Sequence, residues 1–94
     1  MTEKDLLGKL DEGFIGLMQE LPRERLACAV LGVAHAEGAL QLALDYIKER
    51  KAFGAPLAKI QDIRMKIAEM ATQVELHRIM VDHYKKLLLS LIHI

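Results

Sequence analysis

The chain has 94 residues, 52% of them hydrophobic, and its 13 basic residues balance 13 acidic ones to a formal net charge of zero. That length permits one small domain, the mixed charges leave no basic patch for nucleic acid, and the single cysteine, Cys28, excludes an internal disulfide and fits a reducing compartment. With no Trp, two Tyr and two Phe, the apolar content is aliphatic, which suits packed helices better than a sheet sandwich.

Residues 1–13 are polar, with Gly8 and Gly13 as breakers, and read as a lead-in. From Phe14 to about Arg50 a helical pattern runs with one interruption, Pro22. Proline is well tolerated in a first turn, so Pro22 is predicted to open the long helix after a short helical turn at Phe14–Glu20. Within it Leu26, Val30, Val33, Glu37, Leu40, Leu44 and Ile47 alternate at spacings of three and four, an inward-facing stripe. Ala27, Ala29, Gly32, Ala34, Ala36, Gly38 and Ala39 flank it, so a neighbouring helix can approach closely.

Lys51–Pro56 breaks the pattern with Gly54 and Pro56, as a helix-to-helix connection should. A second helix is predicted from about Pro56 or Lys59 to Leu88, with the stripe Ile60, Ile63, Ile67, Met70, Val74, His77, Val81, Tyr84 and Leu88. Each helix would run to about 43 Å at 1.5 Å per residue. The expected fold is all-α: two long antiparallel helices, half of an up-down four-helix bundle. A lone hairpin leaves one face of each stripe wet, so the pattern implies further partners, and a free-standing core this small is marginal.

No stretch reaches the roughly 20 apolar residues that span a bilayer, so no membrane insertion is expected. The opening Met1-Thr2-Glu3-Lys4-Asp5 is too acidic and polar for a secretory signal or transit peptide. There is no glycine-rich phosphate loop. His35, His77, His83 and His93 lack a carboxylate constellation, so no metal is expected. His77 falls on the apolar stripe and reads as an interior or interface histidine; His35 and His83 read as exposed. The last six residues, Leu89-Ser90-Leu91-Ile92-His93-Ile94, can be encoded by ctg-tct-ctt-ata-cac-atc, which resembles a transposon-end adapter. Residues 89–94 are therefore expected to be non-native read-through, against the plainer reading of a naturally apolar helix end.

Five runs, Leu6–Gly8, Gly13-Phe14, Leu17–Leu26, Tyr46–Gly54 and Ala68–Ala71, carry a resemblance to the acyl-CoA dehydrogenases over about residues 6–87. The stretch Glu49-Arg50-Lys51-Ala52-Phe53-Gly54 followed by Gln61 is the most specific part. The resemblance implies a subunit with an N-terminal helical domain, a middle β-domain and a C-terminal four-helix bundle. Residues 1–13 would be the end of the connection from the β-domain, and residues 14–88 the bundle's first two helices. It also implies FAD, an acyl-CoA substrate, a homotetramer with the flavin shared between subunits, and electron-transfer flavoprotein as acceptor. The compartment would be the cytoplasm in a bacterium or the mitochondrial matrix in a eukaryote.

By the same resemblance, Arg50, Phe53 and Gln61 would lie near the FAD of the neighbouring subunit, with Arg50 on its pyrophosphate. A guanidinium presents planar, paired donors suited to phosphate oxygens. Read without the family, Arg50 is a helix-end cation favoured by the dipole, and Phe53 a staple between loop and core. Acyl-CoA dehydrogenation also needs a carboxylate to remove the α-proton. The long-chain and isovaleryl branches carry it on the bundle's first helix, immediately before an arginine. Glu24 and Arg25 stand at that point, as base and substrate contact respectively. The plainer reading makes Glu24 a helix-start carboxylate. An acyl-CoA oxidase, or a cofactor-free helical oligomerisation module, are the alternatives.

Overall fold

A computed structural model describes residues 2–92. A 3-10 turn at Glu3–Asp5, held by the Thr2 N–H donating to the Asp5 carboxylate at 2.8 Å, opens the chain. Gly8 (φ 79°) and Asp11 (φ 63°) then turn the backbone through the left-handed region into the first helix, α1, Gly13–Glu49. Gly13 is thus the helix's first residue rather than a breaker ahead of it. Two tiny antiparallel strands, β1 (Lys51–Ala52) and β2 (Ala55–Pro56), follow, with Ala52 opposite Ala55. A 3-10 turn at Leu57–Lys59 leads to the second helix, α2, Gln61–Ile92. The architecture is all-α, with a ribbon too short to add a layer.

Two boundaries differ from expectation. Pro22 sits inside an unbroken α1 instead of opening it. The ring removes one backbone bond, to the carbonyl of Met18, at a place where both residues are exposed. α2 begins at Gln61, with the Arg64 N–H donating to the Ile60 carbonyl at 3.0 Å, and continues past Leu88 to Ile92. At 37 and 32 residues the helices reach about 55 and 48 Å. Of the suspected read-through segment, His93 and Ile94 lie outside the described residues.

The α1 stripe holds: Leu26, Val30, Glu37, Leu40, Leu44 and Ile47 are half-buried and Val33 is buried. On α2 the seam is shifted. Ile63, Ile67, Val74, Arg78, Val81, Lys85 and Leu88 face α1, whereas Met70, His77 and Tyr84 are exposed. His77 is therefore not interior in this chain. The three lie on a second apolar face that one neighbouring helix cannot cover. Val33 and Val81, each 6% exposed, form the entire buried core among the described residues.

α1 also contains an 18-residue window of mean hydropathy 1.4, long and apolar enough by length and composition to cross a membrane. Counting large apolar side chains misses it, because Ala and Gly carry much of the window. The inner helix of a helical bundle has the same composition, and an ion pair from Glu37 to α2 marks α1 as a helix with a protein neighbour.

Candidate functional site

The predicted residues fall into two groups at opposite ends of α1. Glu24 and Arg25 lie in its N-terminal third, and Arg50 caps its C-terminus. At 1.5 Å per residue Arg25 and Arg50 are about 38 Å apart. The structure does not bring the five residues into one site.

At the far end, Ala52 and Ala55 pair around a two-residue turn made by Phe53 (φ 53°) and Gly54 (φ 76°). Positive φ at both central positions is the hairpin turn whose twist matches the strands, and it normally takes Asn-Gly. For a phenylalanine this backbone is strained. Phe53 is also 100% exposed, so it is not a staple between loop and core. The Leu57 N–H donates to the Arg50 carbonyl at 2.8 Å, and the Arg50 N–H to the Tyr46 carbonyl at 2.8 Å, fixing the turn to the end of α1. The Arg50 side chain is exposed and forms no ion pair among the described residues. Gln61, the first residue of α2, is exposed nearby in the chain. An exposed guanidinium, an exposed aromatic ring and an exposed amide thus lie along one connection, side chains whose chemistry suits a phosphate-bearing aromatic cofactor.

At the near end, Arg25 lines an open hollow of ≈ 490 Å³ with Pro22, Leu26, Tyr84 and Leu87. Glu24 is not among its lining residues. It projects about 130° round the helix from the Ala29–Ala36 line, on α1's outer face. Glu20 pairs with Arg23 at 3.8 Å, both well exposed, and Glu24 has no ion pair among the described residues.

One polar contact between the helices went unpredicted. Arg78 grips Glu37 in a two-pronged pair, Nε donating to Oε1 at 2.7 Å and Nη2 to Oε2. Arg78's hydrogen bond holds the Glu37 carboxyl below its usual range, against a smaller upward push from desolvation; Glu37 likewise raises Arg78. Glu37 stood on the apolar stripe, and an acidic residue there calls for a cation across the seam. Reading His77 rather than Arg78 as inward hid it.

Comparison with known proteins bears on the family and the fold. The family model described as "Acyl-CoA dehydrogenase, C-terminal domain" matches residues 11–90. The long-chain specific acyl-CoA dehydrogenase, mitochondrial, of Sus scrofa is 46% identical over 77 residues, covering 82% of this chain and 18% of that protein. The 3-sulfinopropanoyl-CoA desulfinase of Paraburkholderia xenovorans is 40% identical over 74 residues, covering 79% of this chain and 19% of that protein. The crystal structure of a probable acyl-CoA dehydrogenase from Mycobacterium abscessus superposes with a TM-score of 0.91 at 38% identity, over 96% of this chain and 24% of that one. The chain spans under a fifth of the length of these two curated relatives. With the family match covering most of its length, the chain belongs to the acyl-CoA dehydrogenase family, as part of the C-terminal domain.

Proposed function

We propose that residues 14–88 are the first two helices of the C-terminal four-helix bundle of an FAD-dependent acyl-CoA dehydrogenase, which removes the α and β hydrogens of an acyl-CoA thioester. The observation that carries the reading is the Phe53 turn: a ring held in a strained backbone, wholly exposed, beside an unpaired Arg50. Strain of this kind persists where the surroundings require it, and nothing among the described residues does. A cofactor packed against the ring supplies the reason. Arg50 then holds pyrophosphate and Gln61 offers its amide to the ribose or adenine.

The separation along α1 supports sharing between subunits. Pyrophosphate and the flavin ring are joined by a five-carbon chain, far shorter than the about 38 Å between Arg25 and Arg50. Arg50 therefore serves the FAD of a neighbouring subunit in a homotetramer, while Glu24 serves the acyl-CoA of its own. FAD, when bound, accepts the hydride from the β-carbon and hands electrons to electron-transfer flavoprotein. Glu24, free of ion pairs on the outer face of α1, takes the α-proton, and Arg25 positions the substrate. An oxidase of the same fold would share these residues and pass electrons to oxygen instead. The compartment is the mitochondrial matrix or the bacterial cytoplasm, according to source.

The test is Glu24→Gln in a full-length subunit. Loss of a general base slows flavin reduction by acyl-CoA by at least about 10²-fold, read by stopped-flow bleaching of the oxidised flavin, with FAD content unchanged. Reduction at near wild-type rate would assign the base elsewhere. Loss of flavin or of fold would make Glu24 a helix anchor.

A further inference from the structure

The face of α2 that begins at Gln61 carries a cation with no part in the fold. Gln61, Arg64, Met65 and Ala68 recur at helical spacing and line one open hollow of ≈ 450 Å³. Their face lies about 150° round α2 from the Gln73–His77 line, which borders the groove between the helices. Further helices of a bundle close on the groove, so completing the bundle leaves this face uncovered.

Arg64 is exposed and forms no ion pair among the described residues. Asp62, the nearest acid on α2, is held by Lys66 at 3.1 Å. The apolar seam runs through Ile63 and Ile67 instead. A cation this close to a helix N-terminus also opposes the macrodipole. Neither packing, pairing nor helix stability accounts for an arginine here.

We infer that Arg64 binds the adenine of the FAD that Arg50 and Gln61 hold, with its guanidinium plane laid on the purine ring. The inference rests on the FAD reading of those two residues. Order along the hairpin carries it. Arg50 caps α1, Gln61 opens α2, and Arg64 lies about 4.5 Å farther along α2 and about 60° round it. With the pyrophosphate on Arg50 and the ribose beside Gln61, the next group outward is the adenine. Arg64 thus meets a flat aromatic face rather than a phosphate. A guanidinium is planar and weakly hydrated and stacks on such faces, whereas an ammonium is a hydrated point charge. The ring quadrupole attracts the cation above it. Met65, on the same side of the helix, offers a polarisable thioether to the purine edge.

The test uses a full-length subunit stripped of flavin and titrated with FAD or with FMN, which lacks the adenylate, following flavin fluorescence. Arg64→Gln, which keeps a good helix former, should weaken FAD about two- to thirtyfold, the range for a cation over a ring from exposed to desolvated. FMN affinity should not change. Arg64→Lys should recover only part of the loss, because the charge returns without the plane. Full recovery by Arg64→Lys, or an equal fall in FMN affinity, would overturn the stacking role. Acyl-CoA also carries an adenine, so a raised KM for acyl-CoA with unchanged FAD affinity would overturn the assignment to the flavin. Arg50→Ala, titrated in parallel, separates the two levels. If it weakens FAD while Arg64→Gln does not, this inference fails and the FAD reading stands. If neither variant weakens FAD, both fall.

Discussion

Phe53 offers a perturbation whose two consequences point in opposite directions. Its φ of 53° lies in the left-handed region, which costs an ordinary L-residue about 1–2 kcal/mol and which Asn visits readily. At 100% exposure the ring buries no apolar surface within the chain, so replacing it forfeits no hydrophobic stabilisation. Phe53→Asn should therefore stabilise the 94-residue chain by about 1 kcal/mol, a rise in Tm of about 4–8 °C for a domain of this size. Phe53→Gly should give less, because glycine's freedom in the unfolded chain offsets about 0.5–1 kcal/mol. Thermal melts followed by circular dichroism measure both, at one fixed protein concentration, since self-association makes Tm concentration-dependent. In a full-length subunit the same Phe53→Asn change should loosen FAD by the worth of an aromatic contact, about 0.5–1.5 kcal/mol or two- to tenfold. A Tm that falls in the isolated chain would show that Phe53 is packed there after all. Unchanged flavin affinity would remove the ring from the cofactor site.

Two further outcomes follow. Arg50→Ala in a full-length subunit should lower FAD affinity by one to two decades, the loss of a charge-assisted hydrogen bond worth about 1.5–3 kcal/mol, read as the flavin-to-protein ratio after gel filtration. The Glu37–Arg78 pair holds the folded carboxyl below its unfolded value, so its stabilisation is present above the ordinary glutamate range and is lost as pH falls through the folded value. Between pH 7 and pH 3 the wild-type chain should lose more Tm than Glu37→Gln; equal losses would show that the pair contributes nothing.

Much of the hairpin is written in three- and four-residue spacing, and α1 shows why. Its seam from Leu26 to Ile47 packs as the pattern reads, because small residues on the neighbouring faces leave one orientation that buries the large ones. α2 has large apolar residues around more of its circumference, Met70, His77 and Tyr84 beside Ile67, Val74 and Val81. A single periodic stripe cannot then say which arc meets which neighbour, and a partly buried ion pair decided it through Arg78. Pro22 misled for a related reason: the proline penalty is local, and an exposed site can accept it where continuous helix on both sides does not stop. At the turn, Gly54 and Pro56 announce a chain reversal, but nothing in the sequence specifies that Phe53 takes a left-handed backbone and full exposure. The residue types of the candidate site were legible, and so was their division between two ends of one helix, because the predicted helix from Pro22 to about Arg50 already held Glu24 and Arg25 near one end and Arg50 at the other.

That division makes a further claim testable without a structure of the assembly. On the proposed reading, Glu24 acts on the acyl-CoA of its own subunit and Arg50 on the FAD of a neighbour. A Glu24→Gln subunit and an Arg50→Ala subunit are each defective when assembled alone at limiting FAD, the first for want of a base and the second for want of a cofactor grip. Mixed, they complement. The site that uses the intact Glu24 of the Arg50→Ala subunit receives its arginine from the Glu24→Gln neighbour and is whole, while the reciprocal site is doubly defective. With random one-to-one pairing across a two-fold interface, about a quarter of all sites recover. If Arg50 and Glu24 instead served one site within one subunit, every site in the mixture would carry one defect or the other. Activity of the co-expressed variants at limiting FAD, compared with the sum of the two expressed separately, distinguishes these cases, and a mixture no more active than that sum would sink the shared-flavin reading.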